Sequence, residues 1–112
     1  DVYTIERQRE LFNKTKFFLP QLGYNCNFFY GDGYKGLPMF GPYDKIIITC
    51  GAPYIPEILL EQLKVGGRMV VPIGDTKQQT MYLIEKVSKK KIKKTKHGDF
   101  VFVPLLDNKA WG

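Results

Sequence analysis

The chain has 112 residues, 44% of them hydrophobic, with a formal net charge of +6 and a pI near 9.3. That length supports one core, so a single domain over residues 1–112 is expected, and the basic balance permits an anionic partner without demanding one. No run approaches the roughly 20 apolar residues of a membrane span, and the start, Asp1-Val2-Tyr3-Thr4-Ile5-Glu6, carries no basic leader; a domain that opens on a strand-like alternation points to a portion upstream of it.

In chain order, Val2 to Glu6 alternates apolar and polar residues, as a strand does. Leu11, Phe12, Thr15, Phe18 and Leu19 then fall at helical spacing. Pro20 and Gly23 end that helix, and Cys26 to Tyr30 makes an aromatic strand closed by Gly31-Asp32-Gly33. A strand, helix and strand of this length predict a right-handed crossover and a parallel pair. After a loop over Lys35 to Gly41, the run Lys45-Ile46-Ile47-Ile48-Thr49-Cys50 is unbroken and rich in β-branched residues, and Gly51-Ala52-Pro53 stops it. Such a run predicts a central strand buried on both faces. Ligands of open α/β sheets lie beyond the carboxyl ends of these strands, which directs attention to Thr49–Pro53. The competing reading is that Gly51 and Pro53 only end a strand.

Pro56 to Leu63 predicts a helix with proline in its first turn, Val65-Gly66-Gly67 a turn, and Arg68 to Ile73 a second buried strand. Gln79 to Val87 and Lys91 to Val103 both alternate around Lys89-Lys90-Lys91, the pattern of an antiparallel hairpin. The expected class is α/β, with a mixed sheet that is parallel first and antiparallel at the end.

Cys26 and Cys50, each within a predicted strand and without metal-ligand spacing, fit small buried hydrophobes in a reducing, cytoplasmic setting; no metal site is expected. The six lysines between Lys89 and Lys96 could form a footprint for nucleic acid, but a hairpin tip also needs solvated charge, and edge lysines block sheet association. Phe100 and Phe102 alternate with Val101 and Val103, which fits core packing better than base stacking.

Glu6 ends the first strand, where a carboxylate in a nucleotide-type fold accepts from both ribose hydroxyls. The alternative is a carboxylate that stabilises a helix N-terminus. Asp32, between two glycines, ends the next strand, where a flat ring can approach the backbone and offer an exocyclic amine; the alternative is an ordinary turn. Asp44 lies at the opposite, amino-terminal end of its strand and is given a turn or capping role.

An ordered set of segments resembles the later part of the protein-L-isoaspartate O-methyltransferase family. It comprises Val2-Tyr3-Thr4-Ile5-Glu6, Gly31-Asp32-Gly33, Pro42-Tyr43-Asp44-Lys45-Ile46-Ile47 with Ala52-Pro53 and Pro56, the block Gln62 to Gly74, and Phe102-Val103-Pro104-Leu105. The resemblance spans nearly the whole chain. It implies a Rossmann-like methyltransferase sheet and methyl transfer from S-adenosylmethionine to the carboxylate of isoaspartyl residues in damaged proteins. It assigns Glu6 to the cofactor's ribose and Asp32 with Gly33 to its adenine. The backbone around Ala52, Pro53, Phe102, Val103 and Pro104 would hold the isoaspartyl substrate. Val101 stands where relatives often carry a basic residue.

The family's first strand, its glycine-rich loop and the hydroxyl-bearing residue near the methyl acceptor have no counterpart in these 112 residues, so catalytic groups are expected upstream. The 112 residues alone are accordingly expected to be inactive. Two other readings stay open, an adenosine-binding half-domain without catalysis and a lysine-rich nucleic-acid binder. Without a first strand, two interior strand edges are left to pair, which predicts self-association in preference to closure within the chain.

Overall fold

A computed structural model describes residues 1–101 and 103, which divide into two compact units, 1–33 and the described residues from 34 on. The first unit is a strand, helix, strand segment. Strand β1 (Tyr3–Glu6) pairs in parallel with β2 (Asn27–Tyr30), in a register that sets Tyr3 against Asn27 and Glu6 against Tyr30. Helix α1 (Arg9–Gln21) connects them. It ends beyond Pro20, which occupies its last turn, and Gly23 follows with φ +91°, a conformation glycine adopts without a steric penalty. Phe12, Thr15 and Leu19 form its half-buried stripe, whereas Leu11 and Phe18 are exposed. Aromatic contacts supplement the short ladder: the Tyr3 and Phe29 rings stack at 6.3 Å, and Phe12 meets Tyr30 at 5.9 Å.

The second unit is built on a four-stranded sheet in the order β3-β4-β5-β6. Strand β3 (Tyr43–Ile47) lies parallel to β4 (Leu63–Gly74), β4 is antiparallel to β5 (Gln79–Ser88), and β5 is antiparallel to β6 (Lys91–Phe100). The predicted parallel-then-antiparallel class is therefore the one observed. Helix α2 (Glu57–Glu61) is a short crossover between β3 and β4, with Pro56 just before its first residue instead of within its first turn. Its carboxyl end is closed by the Lys86 ammonium, which donates to the carbonyls of Leu60 (3.0 Å) and Leu63 (2.8 Å). Leu59, Leu63, Met69, Val71 and Ile84 join Ile48 and Ala52 in one buried core.

Three sequence expectations change. The run at 45–50 is not buried on both faces: within this sheet β3 is an edge strand with β4 as its one neighbour, Ile47 is 74% exposed, and only Ile48, just past the strand, is buried. Cys26 and Cys50 are half-buried, and both lie outside strands, Cys26 just before β2 and Cys50 after the end of β3. Phe100, Val101 and Val103 are exposed instead of core-facing, because β6 is the other edge of the sheet and its ladder ends at Phe100; Phe102 lies outside the described residues. The glycine turn at 65–67 takes the form of a bulge inside β4: between the pairs Tyr43–Leu63 and Lys45–Arg68, Asp44 of β3 alone lies opposite Lys64, Val65, Gly66 and Gly67 of β4.

Candidate functional site

Two parallel strands bring their carboxyl ends to one side, and in the first unit this gathers Glu6 with Gly31-Asp32-Gly33. The Gly31 N–H donates to the Glu6 carbonyl at 3.0 Å, so the chain leaving β2 stays beside the end of β1. Glu6 Oε1 accepts from the Gln8 N–H at 2.9 Å, which fixes the carboxylate at the start of α1. The anchoring role and the ligand role weighed for Glu6 are thus compatible, since a carboxylate has further lone pairs. Asp32 is buried, 8% exposed. At Gly31 an added Cβ would make an ordinary van der Waals contact with Ile5 Cγ2 at 3.9 Å.

In the second unit the chain leaving β3 continues beside β4. The Ala52 N–H donates to the Pro72 carbonyl at 2.8 Å, its carbonyl accepts from the Gly74 N–H at 2.9 Å, and Ala52 is fully buried. The Gly51 N–H donates to the Val103 carbonyl at 2.6 Å. Both backbone groups of Ala52 are therefore engaged within the fold, and Pro53 has no N–H. What this segment presents outward is Pro53 and the exposed side chain of Val103; Phe102 and Pro104 lie outside the described residues.

Residues 1–110 match the sequence model of the family described as Protein-L-isoaspartate(D-aspartate) O-methyltransferase (PCMT). The chain belongs to this family. Among curated relatives, the protein-L-isoaspartate O-methyltransferase of Christiangramia forsetii is 58% identical over 109 residues, covering 96% of this chain and 51% of that protein. The one from Cytophaga hutchinsonii is 53% identical over 111 residues, covering 99% and 50%. The chain spans about half the length of the curated relatives it matches. A solved protein-L-isoaspartate O-methyltransferase superposes with a TM-score of 0.84 at 33% identity, over 96% of this chain and 34% of that one. A second, a Plasmodium falciparum protein described as a putative member in complex with S-adenosyl-L-homocysteine, gives 0.77 at 29% identity, over 96% and 53%. The α/β sheet is thus that of methyltransferases of this family.

The donor set fits the adenosine half of the cofactor that such methyltransferases use. Carboxylates such as Glu6 and the buried Asp32 can accept from hydroxyls and an amine, and the glycines on either side of Asp32 put no side chain there. For the methionine half these residues offer no glycine-rich loop. Among the described residues no group of three or more His, Cys, Asp or Glu could hold a metal.

Asp44 is far from this chemistry in kind. It forms an ion pair with Lys64, and the hydrogen bond and charge of that ammonium hold its carboxyl below the usual range. Sequence reasoning missed four residues that line a cavity of about 340 Å³ beside Gly51 and Pro53: Tyr34, Asp75, Thr76 and Gln79. The rule that picked out Glu6 and Asp32 applied to Asp75 and Thr76 as well, because they follow the carboxyl end of β4, which is parallel to β3. Hydrogen bonds from the backbone N–H groups of Gln78 and Lys77 hold the Asp75 carboxyl below its usual range.

Proposed function

We propose that this chain is the portion of a protein-L-isoaspartate O-methyltransferase that holds the adenosine end of S-adenosylmethionine and presents the Ala52–Pro53 segment, with Phe102, Val103 and Pro104, to an isoaspartyl residue of a damaged protein. The observation that carries this reading is the pairing of Glu6 with the buried Asp32 at adjacent carboxyl strand ends, in a chain that matches the family from residue 1 to 110. When bound, the cofactor supplies an electrophilic methyl group, which the isoaspartyl carboxylate takes up as a methyl ester. Glu6 and Asp32, with Gly33, act on binding and orientation alone, and the 112 residues by themselves do not hold the acceptor in line with that methyl group.

The same two carboxylates also favour the narrower reading of an adenosine-binding half-domain. The nucleic-acid reading has only charge behind it, on a hairpin whose lysines are exposed. Two half-buried cysteines support a cytoplasmic place of action; among the described residues no helix is long and apolar enough to cross a membrane. The uncovered β3 edge, with Ile47 outward, supports association with a second copy.

Calorimetric titration with S-adenosylhomocysteine tests the reading. Glu6→Ala and Asp32→Ala should each weaken binding by about 1 to 3 kcal/mol, the size of a lost charge-assisted hydrogen bond. Equal affinity in parent and both variants would remove these residues from the site. A methyl-transfer assay on the same samples separates binding from turnover: binding without turnover is expected.

A further inference from the structure

Among the aspartates and asparagines of the chain, Asp32 alone is followed by a glycine; Asp44 precedes Lys45, Asp75 precedes Thr76, and Asp99 precedes Phe100. An aspartyl Cγ lies within reach of the backbone nitrogen of the next residue, and the two can close a five-membered ring. A side chain on that next residue obstructs the closure, and glycine has none. The fold leaves this dipeptide outside its regular elements. Asp32 and Gly33 lie past the last rung of the β1–β2 ladder, Glu6 opposite Tyr30, in neither helix nor strand. The Gly31 N–H donates to the Glu6 carbonyl at 3.0 Å, whereas among the described residues the Gly33 N–H has no acceptor. The other aspartates are held differently. Asp44 and Asp99 lie within β3 and β6, and Asp75 Oδ1 accepts from the N–H groups of Lys77 (2.8 Å) and Gln78 (3.0 Å). Asp32 is buried and engaged within the chain, so ring closure there is a reaction of the opened unit. Asp32 is the only buried residue among those described in that unit, and its ladder has four residue pairs, which puts its opening at the low end of local stabilities.

We propose that Asp32–Gly33 is a modification site, at which the chain isomerises its own aspartate to isoaspartate through a succinimide. The Gly33 backbone nitrogen attacks Asp32 Cγ, the N–C bond forms, and the amide proton leaves with the carboxyl hydroxyl as water. Water then opens the ring at either carbonyl. Attack at Cγ restores aspartate; attack at the main-chain carbonyl carbon breaks its bond to the Gly33 nitrogen and leaves isoaspartate. One water is released and one consumed, so the change needs no oxidant or other reagent. The product carries an extra methylene in the main chain between β2 and the 34–37 loop, and its free carboxylate is attached to Cα. That displaces the acceptor beside Glu6. A ligand on these carboxylates, which binds the closed unit, slows the reaction by mass action; this last consequence rests on the adenosine reading, and the isomerisation does not.

The test ages the 112-residue chain at neutral pH and body temperature over weeks. Samples are digested with a protease that cleaves before aspartate but not before isoaspartate, and the peptides are identified by mass spectrometry. Resistance at Asp32 should accumulate several-fold faster than at Asp44, Asp75 or Asp99. Gly33→Ala should slow it several-fold, both in the chain and in an unstructured synthetic peptide spanning residues 27–37, where folding plays no part. Equal rates at the four aspartates, or no effect of Gly33→Ala in the peptide, would each overturn the site. S-adenosylhomocysteine at about ten times its Kd should slow the change at Asp32 about ten-fold and leave the other three aspartates as they were. The two readings fail separately. If Asp32 isomerises fastest but S-adenosylhomocysteine neither slows it nor loses affinity for the aged chain, the adenosine reading fails and the modification site stands. If S-adenosylhomocysteine binding depends on Glu6 and Asp32 but Asp32 ages no faster than the others, the reverse holds.

Discussion

Residues 34–105 and residues 1–33 hold themselves together in different ways. The larger unit encloses a continuous apolar core in which Met69, Val71 and Ile84 have no exposure at all. In the smaller unit, Asp32 is the only described residue that is buried, and Leu11, Phe17 and Phe18 on its helix and Leu22 just after it are 48 to 70% exposed. A two-stranded ladder with one helix is marginal in water without a face to pack against. Among its described residues, the small unit is tied together by backbone hydrogen bonds and ring contacts. Its role matches that economy: the two carboxylates proposed to hold adenosine sit in the unit with most to gain from a ligand.

Core truncation should break this contrast most sharply. Ile84→Ala is expected to cost about 2 to 5 kcal/mol in urea unfolding, whereas Phe17→Ala, on a side chain 63% exposed, should stay within about 0.5 kcal/mol. Hydrogen exchange sharpens the comparison, with amides of β1 and α1 opening well before those of β4 and β5. Uniform protection across the two units would refute it.

A smaller effect is expected within the larger unit itself. Gln62→Ala removes both hydrogen bonds to the 35–37 loop and should cost about 1 to 3 kcal/mol, with the Tyr34 to Leu37 resonances broadening before the sheet melts. An unchanged urea midpoint with sharp loop resonances would show that the loop is held by other means.

The smallest effect belongs to the exposed pair Asp44–Lys64. The folded carboxyl titrates below its reference value of 3.8, so its contribution is complete above that value and disappears as pH falls through the lower, folded one. Asp44→Asn should lower the urea midpoint slightly at neutral pH and low salt. The gap should close in high salt and again once the parent's carboxyl is protonated. A gap that persists in strong acid would mean that another interaction was lost.

The sequence made the elements more legible than their surroundings. Alternation from Gln79 to Val87 and again from Lys91 gave the hairpin, because period-two patterning is local. The isoleucine run at 46–48 misled because it records how apolar a strand is and not how many neighbours it has: Ile48 is buried and Ile47 is not. That Glu6 and Asp32 lie at neighbouring carboxyl strand ends was legible, because a strand, helix and strand of this length already imply a parallel pair. Gln62 and Gln79 were not. Each reads as an ordinary polar residue beside apolar ones, and Gln62 shows its function only through bonds to backbone 25 and 27 residues away.

The bulge in β4 gives the fold slack where a change of chain length would otherwise do most harm. Slipping β4 by one residue against its partners would turn Met69 and Val71 from the core toward the other face of the sheet. Because Lys64 to Gly67 lie opposite Asp44 alone, a residue gained or lost in the exposed stretch Lys64 to Gly66 can be absorbed before the ladder resumes at Lys45 and Arg68. The limit of that slack is Gly67, where a side chain would strike the carbonyl oxygens of Asp44 and Lys64 at 2.8 Å. Insertions within Lys64 to Gly66 are thus mechanically isolated from the core, and those after Gly67 are not.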